Sequence, residues 1–370
     1  MKVLFQFISY FLSLVPKSNK ILVFSSFPDF ADNAFAVYQY LKKKKGEKYR
    51  YIWIYVDKKN VNKSSDIEGY YRYSFWGIYY FLRARYVFCT HGLNSFIHLR
   101  QGMKIINLWH GMPLKTIGCL DPQSNGVNPT VADYLVATSP AFQKIMSQSF
   151  NNMDLDRVLL VGQPRNDLLF EPTNYFMNNG ISVSDYDKIG IWLPTYRQSI
   201  IGDIRVDGLY NEGGISFFSM KNLQSLDEFL VKTANLLLIK LHPMDALQNV
   251  DFPHFSNIRI IKQKDFSEQL YPLLGASSYL LTDYSSVWVD YLIMRKPIGF
   301  VMNDCREYSE SRGFTIEQME RKLPGVVIDS VDKLYQFIIS PSMYNEQQAN
   351  FFNIFVDNKS SERLVDFLKL

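Results

Sequence analysis

Apolar β-type runs alternate with helical patterns through both halves of this 370-residue chain. That alternation predicts an α/β protein built on parallel sheets of βαβ units. The length suffices for two domains of typical size, each burying a core of its own. A hydrophobic content of 47% against 21% charged residues points to a globular protein and away from a disordered one. The expected architecture is two doubly wound parallel-sheet domains.

In the first half, strands are expected at residues 21–25, 51–55, 86–89, 104–108, 134–137 and 158–161. Each is a short apolar or aromatic run of the kind a buried parallel strand needs. Helical spacing over 33–43, 75–83 and 140–150 supplies crossovers. In the second half, strands fall at 189–193, 236–241, 258–261, 279–281, 298–301 and 326–328. Helices follow at 227–233, after a capping box formed by Ser225 and Glu228, and at 287–294, 331–338 and 362–370. Residues 170–187 are polar, asparagine-rich and aperiodic, which suggests a hinge. Residues 200–218 hold Gly202, Gly208, Gly213 and Gly214 and read as a loop. The expected division is 1–16, 17–175 and 176–370, with the last helix placed to cross back to the first domain.

Composition narrows the function. A net charge of +4 is too mild to indicate a nucleic-acid binder. It suits an enzyme handling phosphates near anionic lipid. Cys89, Cys119 and Cys305 are scattered, without a CxxC or zinc spacing, so neither a disulfide framework nor a cysteine metal site is indicated, and a reducing compartment fits. No stretch reaches the roughly 18–20 apolar residues that span a bilayer. Leu4, Phe7, Ile8, Phe11, Leu12 and Val15 share one helical face, the pattern of an in-plane membrane anchor or of a helix packed on its own domain. Lys42-Lys43-Lys44-Lys45 reads as the solvated end of a helix or as a polyanion contact. Asp154-Leu155-Asp156 and Asp185-Tyr186-Asp187 match an Asp-x-Asp pattern but sit in turn-like stretches, so no metal site is expected. A GxGxxG fingerprint and a P-loop are both absent.

The chemistry concentrates where strands end. The run over 104–108 delivers Trp109-His110-Gly111, a turn that a core would not need. A histidine at the carboxyl end of a parallel strand is a candidate general base; the alternative is a hydrogen-bonded ring closing a strand. A second apolar strand ends in Lys240-Leu241-His242-Pro243, and a third in Thr282-Asp283-Tyr284-Ser285-Ser286. The last offers helix-capping side chains and open amides suited to phosphate. Asp283 serves either as a cap or as a donor contact. Arg165 and Asp167 either pair with each other or meet an acceptor phosphate.

Six stretches occur in order over roughly residues 20–355: Trp109-His110-Gly111 with Pro113-Leu114-Lys115, Gly162-Gln163-Pro164-Arg165-Asn166-Asp167, Leu193-Pro194-Thr195-Tyr196-Arg197, Lys240-Leu241-His242-Pro243, Thr282-Asp283-Tyr284-Ser285-Ser286, and Ser311-Arg312-Gly313-Phe314. Together they resemble the CDP-glycerol glycerophosphotransferases, the teichoic-acid primases and polymerases of bacterial envelopes. Met112 stands where that family more often has Thr, and Gln163 where an aromatic is frequent.

The resemblance implies a GT-B-like fold, two such domains facing a cleft. It implies transfer of an alditol phosphate, most naturally glycerol phosphate, from a CDP-alditol to a lipid-linked saccharide or growing polymer, with release of CMP and no cofactor. His110 and His242 would be catalytic. Arg197, Lys240, Pro243, Thr282, Asp283, Ser285, Ser286 and Arg312 would bind the donor, and Trp109, Gly111, Lys115 and Arg165 the acceptor. The protein would work peripherally at the cytoplasmic membrane surface, without nucleic acid. Two other classes are a GT-B nucleotide-sugar glycosyltransferase, which would release a nucleoside diphosphate, and a non-catalytic membrane-surface protein.

Overall fold

The continuous apolar runs become strands of two all-parallel sheets. The computed structural model describes residues 15–58, 66–92, 102–196, 215, 218–302, 313–342 and 345–370. The apolar N-terminal stripe before Val15, most of the 200–218 loop, Arg197 and Arg312 lie outside the described residues.

Unit 1 comprises Met1–Met112, Ile117–Leu168 and Asp357–Leu370. It runs β1 (Ser18–Ser25), α1 (Asp32–Lys45), β2 (Arg50–Tyr55), β3 (Gly69–Tyr71), α2 (Phe75–Arg83), β4 (Ala84–Cys89), β5 (Lys104–Asn107), β6 (Tyr134–Ala137), α3 (Pro140–Ser149) and β7 (Val158–Leu160). The strands pair in the order β3-β2-β1-β4-β5-β6-β7, so the winding reverses between β1 and β4. Helix α1 buries Ala34, Val37, Tyr38 and Leu41 at helical spacing and ends at Gly46, where φ is +50°. The four lysines of its last turn complement the negative end of the helix dipole.

Unit 2 comprises Pro113–Thr116 and Leu169–Val356. It runs α4 (Tyr175–Asn178), β8 (Lys188–Leu193), α5 (Met220–Lys232), β9 (Asn235–Lys240), β10 (Ile258–Ile261), α6 (Leu270–Ala276), β11 (Tyr279–Thr282), α7 (Val287–Tyr291), β12 (Ile298–Val301), α8 (Met319–Lys322), β13 (Val326–Ile328), α9 (Val331–Ile339) and α10 (Glu346–Phe352). Its strand order is β10-β9-β8-β11-β12-β13, with the reversal between β8 and β11. Gly190 in β8 is fixed by close packing: a Cβ there would sit 2.2 Å from the ring of Tyr279.

The last helix, α11 (Ser360–Leu368), belongs to unit 1. Leu364, Val365 and Leu368 join the core of Phe24, Trp53 and Phe88, where Phe24 and Phe88 stack at 5.2 Å. Asp167 anchors the helix by accepting the Ser360 and Ser361 N–H groups, both at 2.8 Å.

Two local expectations change. Helix α5 starts at Met220, because Ser219 caps it by accepting the Asn222 N–H at 3.3 Å. Ser225 and Glu228 therefore lie inside the helix, and Leu223, Leu226 and Leu230 set its buried stripe. The polar 170–187 stretch holds α4, whose Tyr175 and Phe176 are buried.

Candidate active site

In unit 1 the site grows from the ends of β4 and β5, paired through Cys89 and Asn107. The chain leaves β5 by a backbone twist that few residues accept. Trp109 has φ +52° and Gly111 φ +139°. A bulky residue in the left-handed region is an outlier that its surroundings must hold. Here the Trp109 N–H donates to Asn107 Oδ1 at 2.9 Å, and Asn33 Nδ2 donates to the Trp109 carbonyl at 2.9 Å. Asn33 is fully buried. Its amide also donates to Gln163 Oε1 at 3.1 Å, and its Oδ1 accepts the Arg165 N–H at 2.9 Å. One asparagine thus joins α1, the β5 turn and the turn after β7.

His110 projects from this turn with an exposed edge. Its Nδ1 lies 3.1 Å from the Thr90 carbonyl oxygen. A carbonyl only accepts, so Nδ1 carries the proton and the neutral ring keeps its lone pair on Nε2. Desolvation lowers the pKa of His110 most; the Thr90 bond and Asp32 oppose this, and Arg165 adds to it. The His91 ring lies flat on His110, centroids 4.2 Å apart and 5° from parallel.

Arg165 is buried. Its guanidinium pairs with Asp32 at 2.8 Å and donates to the His110 carbonyl at 3.0 Å. Its partners here are Asp32 and the His110 carbonyl, whereas Asp167 accepts the Ser360 and Ser361 N–H groups. A cavity of about 200 Å³ opens beside His91, at the β1–β4 reversal, with Ser26, Phe27, Ile54, Arg72 and Phe81 in its wall. Ligands of doubly wound sheets bind at such reversals.

Unit 2 has the corresponding reversal between β8 and β11. Asp283, buried at the end of β11, accepts the Thr195 N–H at 3.0 Å and the Thr195 hydroxyl at 2.9 Å. Thr282 donates to the Leu193 carbonyl at 2.9 Å. Asp283 therefore ties the two strand ends across the reversal, and α7 has no side-chain cap. That helix is five residues long before it tightens to a 3-10 turn, so any phosphate affinity here draws on the partly exposed Ser285 and Ser286 more than on a long helix dipole.

His242 leaves the neighbouring strand β9. Its Nδ1 accepts the Met244 N–H at 3.1 Å, which puts the proton of the neutral ring on Nε2. Its ring packs 4.7 Å from that of Tyr196, and Pro243 beside it is exposed. Lys240 turns inward: its ammonium donates to Gln263 Oε1 at 3.2 Å and lies 4.8 Å from the centre of the Phe266 ring. Burial pulls its pKa down to about 8.

The structure separates one sequence motif. Trp109, His110 and Gly111 belong to unit 1, whereas Pro113 and Lys115 belong to unit 2. Lys115 forms an antiparallel bridge with Phe314, and the Thr315 N–H donates to the Leu114 carbonyl at 2.9 Å. Lys115 thus leaves the expected acceptor-side domain. Asp154, Asp156 and Asp185 are exposed beside or within 3-10 turns. Among the described residues, no cluster of three or more His, Cys, Asp or Glu could hold a metal. Thr90, His91, Asn33 and Asp32 went unrecognised in the sequence. Only a histidine closing a second predicted strand, over 86–89, hinted at His91.

Two parallel doubly wound units, each with a strand-order reversal, give a GT-B-like fold. The chain belongs to the CDP-Glycerol:Poly(glycerophosphate) glycerophosphotransferase family, which it matches over residues 7–370. It is an enzyme that transfers glycerol phosphate from CDP-glycerol to a growing polymer. Among its relatives, the teichoic acid poly(glycerol phosphate) polymerase of Bacillus spizizenii is 24% identical over 388 residues, 96% of this chain and 94% of that protein. The polymerase of the same description from Staphylococcus epidermidis is 27% identical over 393 residues, and the match spans half its length, 50%. The solved structure of the wall teichoic acid polymerase TagF shares the fold, with a TM-score of 0.77 at 24% identity over 95% of this chain and 89% of that one.

Proposed function

We propose that His110 is the general base and that unit 2 holds the donor. The acceptor hydroxyl gives its proton to His110 Nε2 as its oxygen bonds to the β-phosphorus of CDP-glycerol. The bond between that phosphorus and the bridging oxygen breaks, and CMP leaves with the electron pair. A positioned base of this kind contributes on the order of 10²–10⁴ in rate. His242, with its proton on Nε2, is suited to donate to the diphosphate and to charge developing on CMP. Ser285 and Ser286 add hydroxyl donors. Arg197, Arg312 and Lys240 would supply positive charge for the donor, and Trp109, Gly111 and Lys115 would serve the acceptor.

The observation that carries this reading is the His110 Nδ1–Thr90 carbonyl hydrogen bond. It fixes the tautomer in which the outward nitrogen can accept a proton. The acceptor would be a lipid-linked saccharide or an alditol-phosphate chain extended from one. Residues 1–15 and the lysine run closing α1 would hold the protein at the cytoplasmic membrane surface. Among the described residues, no helix is long and apolar enough to cross a membrane.

Nucleotide analysis after incubation with CDP-glycerol and a lipid-linked acceptor tests the bond broken. CMP is expected; CDP would indicate transfer of the alcohol without its phosphate. His110→Asn should abolish CMP release while calorimetry shows CDP-glycerol still bound. Anionic vesicles should retain the full chain and release one lacking residues 1–15.

A further inference from the structure

Among the described residues, unit 1 holds a second histidine, His91, that has no part in the chemistry above yet makes the closest ring contact to the base. His91 follows β4 as His110 follows β5, and the parallel register of those strands brings the two turns together. The His91 ring has two aromatic neighbours: Phe27 meets it edge-on at 5.7 Å, and His110 lies parallel to it at 4.2 Å. Trp109 then lies 4.3 Å from His110. Thr90 serves both imidazoles. Its carbonyl accepts from His110 Nδ1, and its hydroxyl lies 2.9 Å from His91 Nδ1.

A single hydrogen bond through Nδ1 leaves a ring free to rock about that bond. A second, flat contact removes the freedom. We propose that His91 is a positioning residue for His110: lying flat on that ring, it holds the plane from which Nε2 meets the acceptor hydroxyl and keeps water off one face. The inference rests on the reading of His110 as the base.

The charges around the pair agree with this division of labour. Asp32 and Arg165 act on His110, and Asp32 also acts on His91, which lines a cavity together with Arg72. Two imidazolium rings at this separation repel, so one of them takes the proton. His91 is the one kept neutral: burial, then the charge of His110, lower its pKa to about 4. A neutral flat neighbour leaves His110 to accept the proton from substrate.

His91→Ala opens the stack, and His91→Phe retains a flat ring without a titrating nitrogen. In His91→Ala, kcat should fall by about ten- to a hundredfold through misplacement of the base, with KM for CDP-glycerol unchanged. Because water then reaches the His110 ring, the acid limb of the kcat–pH profile should move to higher pH. His91→Phe should restore most of kcat and the original limb. With five histidines in the chain, the His110 Cε1 resonance can be assigned by its loss in His110→Asn and titrated without substrate; its pKa should rise in His91→Ala and return in His91→Phe. Wild-type kcat and an unmoved His110 titration in a folded His91→Ala protein would overturn the proposal. So would a His91→Phe protein, folded by circular dichroism, that is as impaired as His91→Ala. Activity surviving in His110→Asn would instead overturn the reading of the base, whatever the His91 variants do.

Discussion

The guanidinium of Arg165 holds the carbonyl oxygen of His110 at 3.0 Å while pairing with Asp32 at 2.8 Å. A buried charge pair is here attached to the backbone of the proposed base. Removing one partner of such a pair leaves the other uncompensated, which costs about 3–5 kcal/mol. Arg165→Met should therefore lower stability by that order in denaturant melts. Arg165→Lys keeps the charge but loses the planar fork; it should remain folded with kcat reduced by about tenfold or more and an unchanged donor KM. Kinetics equal to wild type in Arg165→Lys would separate this arginine from the base.

The pH profile follows from the direction of the His110 shift. Burial lowers its pKa, so the ring stays neutral below the pH at which an exposed histidine is half protonated. A base must be neutral to act. Activity should hold as pH falls through about 6.5, the ordinary histidine value, and decline only at lower pH. A limb at or above 6.5 in kcat/KM, measured where the protein is folded, would contradict a desolvated His110 base.

Lys240 couples function to stability. Its amine titrates at 10.5 when exposed and near 8 in the fold. Between those values the unfolded chain binds the extra proton, so stability should rise as pH climbs from 8 to 10.5. Below 8 the fold bears the cost of a buried charge. Lys240→Met should stabilise the protein at neutral pH, by on the order of 1–3 kcal/mol, and weaken CDP-glycerol binding. A lower Tm with unchanged affinity would reverse the assignment.

His242→Ala and Ser285→Ala should each weaken CDP binding. Losing a hydrogen bond to a charged phosphate costs about 1.5–3 kcal/mol, roughly 10- to 150-fold in Kd. His242→Ala should also lower kcat if Nε2–H stabilises departing CMP. Calorimetry with unchanged CDP affinity in both variants would move the donor elsewhere.

The positions of the strands were legible because most strands of a parallel sheet leave a short, unbroken apolar run. The runs at 134–137, 258–261, 298–301 and 326–328 coincide with β6, β10, β12 and β13. Strand β3 escaped notice: its three residues, Gly69-Tyr70-Tyr71, include no aliphatic side chain, whereas the equally short β13 is Val326-Val327-Ile328. Helix α6 carries Pro272 and Gly275, and α10 begins with the polar run Glu346-Gln347-Gln348; in both, packing outweighs local pattern.

By itself the sequence determined the α/β class, most strand positions, and the fact that His110, His242 and Thr282 each close a parallel strand. Only the tertiary structure decided what those residues meet. It stacked His91 on His110, sent Arg165 to Asp32 and to the His110 carbonyl, turned Lys240 onto Phe266, gave Asp283 to Thr195, and placed Lys115 in unit 2 while Trp109 remained in unit 1. The physical reason is range. Hydrophobic period is a local property, written within a few residues, whereas the order of strands in a parallel sheet is set by crossovers that bring together residues as far apart as 32 and 165.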